Sequence, residues 1–227
     1  MITVHHLEDS RSQRILWLCE ELGLDYKVVR HARDPQTQMA PAVLKKLHPL
    51  GTAPLVEVDD VVLAESGAII EYLLATHDQQ GRFKPADALG QAGRDYTFWL
   101  HFAEGSLMPM LVIGKVFMTI KATRMPFFAK PIAKKIASSV EQAYINPGLS
   151  KMLTLINQHL GKQDYFAGDA LTGADIQMSF PLEAVGTIPD MIDNYPAIIA
   201  WLERIHARSA YRVALDKGGP YSFVSLD

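Results

Sequence analysis

Leu50-Gly51-Thr52-Ala53-Pro54-Leu55-Val56-Glu57-Val58-Asp59-Asp60-Val61-Val62-Leu63-Ala64-Glu65-Ser66 is the stretch that decides how this chain folds. Two short apolar runs, 55–58 and 61–63, flank the polar pair Asp59-Asp60. That is a hairpin pattern, although Asp-Asp is a weaker turn signal than Asp-Gly. Pro54 opens the first run, where a missing N–H does no harm at an edge or a strand start. Ser66 follows the second run and precedes Ile69, Ile70, Leu73 and Leu74, which recur at helical spacing. It is therefore placed as an N-cap, with backbone N–H groups pointing outward. Glu65 beside those donors suits a ligand with both an ammonium and a carboxylate: the side chain pairs with the first and the helix start takes the second. Read locally, the same residues also make an ordinary hairpin and an ordinary capped helix, which is the commoner use of the pattern.

Toward the N-terminus, residues 2–6 are rich in β-formers and Leu7-Glu8-Asp9 turns the chain. Ser10 or Ser12 can cap a helix whose apolar residues Ile15, Leu18, Cys19 and Leu22 fall on one face, and Gly23 stops it. Residues 26–29 form a second strand, and Pro41 starts a short helix to about Leu47. After the hairpin a helix covers about 66–76. Strand, helix, strand, helix, hairpin, helix predicts a mixed sheet with helices packed on it.

The polar segment 78–88 holds Gly81 and Pro85 and marks a boundary. We expect one domain over 1–79, a linker over 80–88 and an all-helical domain over 89–227. The pattern over 89–116 is a single long or kinked helix, with Gly105 and Pro109 as kink positions. Met125–Pro131 interrupts, 132–144 resumes, and Pro147 begins another helix to about Leu160. In Leu171-Thr172-Gly173-Ala174-Asp175-Ile176, Thr172 is an N-cap, Asp175 faces back from the third helical position, and Leu171 with Ile176 forms a hydrophobic staple. The helix that follows is apolar on most sides and belongs at the centre of the second domain. Pro196 begins the last clear helix, to Ala207, and the tail 217–227 runs over the surface.

Composition is that of a globular protein, with 48% hydrophobic and 21% charged residues and a net charge of −3. This balance gives no electrostatic case for nucleic acid. The one cysteine rules out an internal disulfide and suits a reducing compartment. No leader pattern is present at the N-terminus, and no uncharged apolar run reaches the roughly 18 residues that span a bilayer. We therefore expect a cytoplasmic protein with no transmembrane segment. The histidines show no metal-ligand spacing, and no dinucleotide or P-loop string occurs, so no metal site is expected. Lys130, Lys134 and Lys135 read as a solvated helix face.

Leu47-His48-Pro49-Leu50-Gly51-Thr52-Ala53-Pro54, Ala64-Glu65-Ser66 and the capping box at Thr172–Asp175 together resemble the glutathione transferase superfamily over nearly the whole chain. Ser10-Arg11-Ser12, Ile15-Leu16-Trp17-Leu18, Glu104-Gly105-Ser106-Leu107 and Met178-Ser179-Phe180-Pro181-Leu182 look most like a branch shared by fungal members and bacterial relatives. The resemblance implies an α+β thioredoxin-like N-terminal domain followed by an all-α C-terminal domain. It implies glutathione as cosubstrate, a cis peptide before Pro54, and a cysteinyl contact through the backbone of Ala53 next to Thr52 and Pro54. Glu65 and Ser66 would hold the γ-glutamyl end. A hydrophobic electrophile would lie between the domains, against Leu7, Ser106, Met110 and Phe117. Members of the family form homodimers and need no metal. Peroxide reduction by the same thiolate, or a glutathione-binding regulator or carrier without turnover, are the alternative uses of such a site.

The chemistry needs a thiolate. A free thiol ionises near pH 8.5, and lowering that value by about two units takes about 2.7 kcal/mol. A hydroxyl donating to the sulfur supplies roughly 1.5–3 kcal/mol, and a helix start adds roughly 0.3–1 kcal/mol. Ser10 is the first choice for that hydroxyl, with Ser12 as competitor. His5 and His6 stand where tyrosine-type members carry their tyrosine, which argues against a tyrosine mechanism. Arg11 reads first as a solvated arginine at a helix start, with contact to a glutathione carboxylate as the alternative. Cys19 reads as a buried, inert thiol.

Overall fold

The computed structural model describes residues 1–224. Strand β1 (Ile2–Leu7) leads into α1 (Gln13–Leu22), β2 (Tyr26–His31) and a single turn of helix, α2 (Leu44–Leu47). Strands β3 (Leu55–Val58) and β4 (Val61–Ala64) form the hairpin and run into α3 (Ser66–His77). The sheet order is β2-β1-β3-β4. β1 and β2 are parallel, with Ile2 opposite Tyr26, while β3 is antiparallel to both β1 and β4. Asp59 takes the left-handed conformation (φ 52°) that lets two residues close the hairpin. α1 and α3 pack together against the sheet core of Val4, Leu55 and Val56, all fully buried.

The remainder of the described chain is helical. α4 (Gln91–Phe102) and α5 (Met108–Ala122) are joined by a π turn over Ala103–Leu107. α6 (Ala129–Val140) and α7 (Asn146–Leu160) are joined by a second π turn over Glu141–Ile145. Each π turn is followed by a proline one residue inside the next helix, Pro109 and Pro147. Proline lacks an N–H and its ring collides with the carbonyl four residues back, and the wider turn relieves both problems. The expected kink at Gly105 and Pro109 is therefore a π turn, and Pro147 continues a helix rather than starting one. Among the described residues one helix, Gln91–Ala122, is long and apolar enough by length and composition to cross a bilayer. The sequence reading, which asks for an uncharged apolar run, does not single it out as a span, although it does expect one long or kinked helix over 89–116. Its Tyr96, Trp99, Leu100, Leu107 and Met110 are buried in this fold.

α8 (Gly173–Gly186) is the buried axis, as its apolar pattern predicts. It packs on α1, α3 and α4 at once. Gly173 marks the closest approach: a Cβ there would lie 2.9 Å from side-chain atoms of Ile70, Leu74 and Tyr96. Thr172 and Asp175 close the predicted capping box. Asp175 also accepts from the Phe166 backbone N–H (2.9 Å) and the Trp201 indole N–H (3.1 Å). α9 (Pro196–His206) follows as expected, but α10 (Ser209–Gly218) lies where the sequence reading ended its last helix. α10 covers the outer face of α1, with Tyr211 edge-on to Trp17 at 5.3 Å between centroids. As a result α1 is buried continuously from Gln13 to Cys19, not on the single predicted face. Beyond α10, Ser222 donates to Asp9 through backbone N–H (2.7 Å) and hydroxyl (2.8 Å), and Tyr221 donates to the buried Glu183 carboxylate (2.6 Å).

Candidate active site

The turn after β1 carries Ser10, Arg11 and Ser12. Asp9 adopts φ 47° there, and its carboxylate is held by Ser222. Neither serine side chain caps α1. Ser12 is fully buried and points back at the strand: its hydroxyl accepts from the Leu7 N–H (3.0 Å) and lies 2.9 Å from His6 Nδ1 and 2.7 Å from Ser10 Oγ. Ser10 retains 7% exposure and accepts from the Ser12 N–H at 3.2 Å. His6, itself buried, has its pKa lowered to about 4 by burial, then by Arg30 and His31, against a raising effect of Asp9.

The organising stretch forms the opposite wall. The Ala53–Pro54 peptide is cis, as the resemblance implies. Pairing of β3 with β1 ends at Leu55 and His5, so Ala53 lies beyond the ladder with its backbone groups open. Glu65 occupies the cap position of α3 with φ 68° and ψ 118°, a conformation that non-glycine residues rarely adopt. Ser66, predicted as the cap, is instead the first helical residue. No side chain caps α3, so its first-turn N–H groups stand open beside the exposed Glu65 carboxylate.

A cavity of about 270 Å³ lies between these elements, lined by Arg11, Thr52, Ala53, Pro54, Glu65, Ser66 and Glu104. A second, of about 670 Å³, continues from Glu65 and Ser66 along the gap between α3 and α4 to Tyr96 and His101. The structure thus brings Thr52, Ala53, Pro54, Glu65 and Ser66 together. Ser10 and Ser12 do not line either cavity, though their neighbour Arg11 does. Leu7 and Met110 are buried, and Met110 packs toward Gly148. Ser106 and Phe117 keep partial exposure.

Sequence reasoning missed Glu104 and Arg14. Arg14 is fully buried and donates to the Gln177 carbonyl and to Glu104. Burial holds its pKa below the ordinary arginine value, with Glu104 opposing that effect. Arg11 also donates to both oxygens of Glu104 at 3.0 Å, so it is not the solvated residue expected. An arginine set among Gln13, Ile15, Leu16 and Trp17 was the available signal that a buried carboxylate partner was needed. Cys19 is fully buried, and burial raises its thiol pKa to about 12, as an inert core residue requires. No cluster that could hold a metal ion occurs among the described residues.

This arrangement of sheet, helical half and interdomain cleft defines a glutathione S-transferase fold, and comparison with known proteins agrees. The family model for the glutathione S-transferase N-terminal domain matches residues 10–76, and that for the C-terminal domain matches 118–209. Glutathione S-transferase 1 of Saccharomyces cerevisiae is 36% identical over 225 residues, covering 96% of this chain and 95% of that one. Glutathione S-transferase 3 of Schizosaccharomyces pombe is 34% identical, covering 96% and 88%. A crystal structure of a glutathione S-transferase from Actinobacillus pleuropneumoniae superposes with a TM-score of 0.76 at 33% identity, covering 98% and 95%. The chain belongs to the glutathione S-transferase family.

Proposed function

We propose that this enzyme adds the glutathione thiolate to hydrophobic electrophiles. The observation that carries the reading is the exposed Glu65 carboxylate, unpaired among the described residues, beside the uncapped start of α3, in one cavity with Ala53 and Pro54. Those groups match glutathione end to end. Glu65 takes the γ-glutamyl ammonium, the Ser66 end of α3 takes its carboxylate, and the open backbone of Ala53, flanked by Thr52 and Pro54, takes the cysteinyl amide. The sulfur then comes to the turn after β1, where Ser10 donates to it and Ser12 supports Ser10. The electrophile lies against Ser106 and Phe117, with Leu7 and Met110 contributing through packing.

We assign glutathione binding to residues 1–79, the linker to 80–88 and the electrophile wall to the helices beyond. The protein works in the cytoplasm as a homodimer. The exposed apolar side chains Phe98, Val112 and Val116 on α4 and α5 support a covered face. Light scattering should give about twice the 25.2 kDa chain mass, and a monomer would remove the dimer from the proposal. The deciding experiment follows the ultraviolet absorbance of the thiolate of bound glutathione against pH. We expect a thiol pKa well below the free value in the wild type and a return toward it in Ser10→Ala. Glutathione that binds with an unshifted thiol would make the protein a carrier and defeat the transferase reading.

A further inference from the structure

We infer that His6 is a positioning residue for Ser10, acting through Ser12, and that it leaves the Ser10 hydroxyl proton no acceptor except the bound sulfur. The inference rests on the proposed role of Ser10. It follows from counting protons and lone pairs along one buried chain.

A serine hydroxyl offers one proton and accepts two. Ser12 Oγ has four polar neighbours: Leu7 N at 3.0 Å, Leu7 O at 3.2 Å, His6 Nδ1 at 2.9 Å and Ser10 Oγ at 2.7 Å. The Leu7 N–H fills one lone pair. His6 is neutral at neutral pH, since burial, Arg30 and His31 outweigh Asp9, and so its ring holds a single proton. With that proton on Nδ1, His6 fills the second lone pair of Ser12. The Ser12 proton then has two open acceptors, the Leu7 carbonyl at 3.2 Å and Ser10 Oγ at 2.7 Å, and goes to the nearer, Ser10. Ser10 Oγ already accepts the Ser12 N–H at 3.2 Å, so both its lone pairs are taken and its own proton turns outward. With the proton on Nε2 the order reverses: Ser12 donates to His6, Ser10 donates to Ser12, and nothing is left for the sulfur. The tautomer of His6 thus sets the direction of the whole chain. A thiolate at its outer end favours the first arrangement, because each donor in line polarises the next.

The test uses the full-length protein, glutathione itself, and the thiolate absorbance titration. In His6→Asn the side-chain amide N–H falls near the position of Nδ1. In His6→Gln it reaches the position of Nε2 instead. His6→Asn should keep the wild-type thiol pKa, while His6→Gln and Ser12→Ala should raise it by about half a pH unit. Melting temperatures taken alongside separate this effect from loss of packing. If Asn and Gln behave alike, whether both keep or both raise the value, His6 does not act through Nδ1 and the inference is overturned. If Ser10→Ala itself leaves the thiol unchanged, the proposed role of Ser10 fails first and the relay falls with it.

Discussion

Removing the Glu104 carboxylate should strand the fully buried Arg14 guanidinium without its carboxylate partner. Arg14 is fully buried while Glu104 keeps 29% exposure, and in Glu104→Ala the guanidinium retains the Gln177 and Arg11 carbonyls and the Phe180 ring but no carboxylate. Breaking one side of a buried ion pair costs about 3–5 kcal/mol. Partial exposure lets water enter the vacated space, so the expected loss falls just below that range, at about 2–3 kcal/mol. Arg11 loses the same partner, but at 35% exposure its share is within about 0–1 kcal/mol. For a chain of this size the sum, about 2–4 kcal/mol, lowers the melting temperature by roughly 4–16 °C. The assay is urea unfolding without glutathione, followed by fluorescence of Trp17, Trp99 and Trp201, which are all buried. Arg14→Met added to Glu104→Ala should recover part of the loss, since it replaces the stranded charge with an apolar chain of similar length. A double variant weaker than Glu104→Ala alone, or a Glu104→Ala protein as stable as wild type, would refute the account.

Asp175 accepts four hydrogen bonds, from Phe166, Trp201 and two groups of Thr172, so Asp175→Asn turns an amide N–H₂ toward donors. We expect a loss of about 2–4 kcal/mol in urea titration. Burial raises the Asp175 pKa from 3.8 to about 6, so the folded chain holds a proton there that the unfolded chain releases. Its contribution is full below pH 3.8 and is lost as pH rises to about 6, and stability of Asp175→Asn measured across that window should lack this slope. Glu65→Gly should release the left-handed strain and stabilise the free protein by about 1 kcal/mol or more. Calorimetric titration of the same variant should show glutathione binding weakened at least about tenfold, and unchanged affinity would remove Glu65 from the site.

Legibility in the sequence followed the range of the interactions. The hairpin, the α8 capping box and the buried axis were readable because turn chemistry, caps and apolar periodicity are local. The cluster of Thr52, Ala53, Pro54, Glu65 and Ser66 was readable through strings that resemble a family. What escaped depends on partners far along the chain. Arg14 and Glu104 are ninety residues apart, and α1 became buried on all sides only because α8 and α10 cover it. The pattern Tyr211, Ala214 with Gly218 did carry a signal for α10, but Gly and Pro near the end masked it. The Ser66 cap was misplaced by one residue because Glu65 takes a backbone conformation that its type does not advertise.

The attachment of Ser222 to Asp9 has a consequence for how the protein is made. The turn bearing Ser10 is held by Arg33 nearby in sequence, yet its Asp9 carboxylate waits for Ser222, 213 residues further on. Trp17 meets Tyr211, Arg14 meets Gln177, and Asp9 meets Ser222, so the sheet half leaves the ribosome with α1 still lacking its cover. Domains emerging from synthesis usually fold in order from the N-terminus. Here the first half must hold an unfinished helix open until residues 211–222 have been made, and the turn that carries Ser10 gains its Ser222 contacts only then.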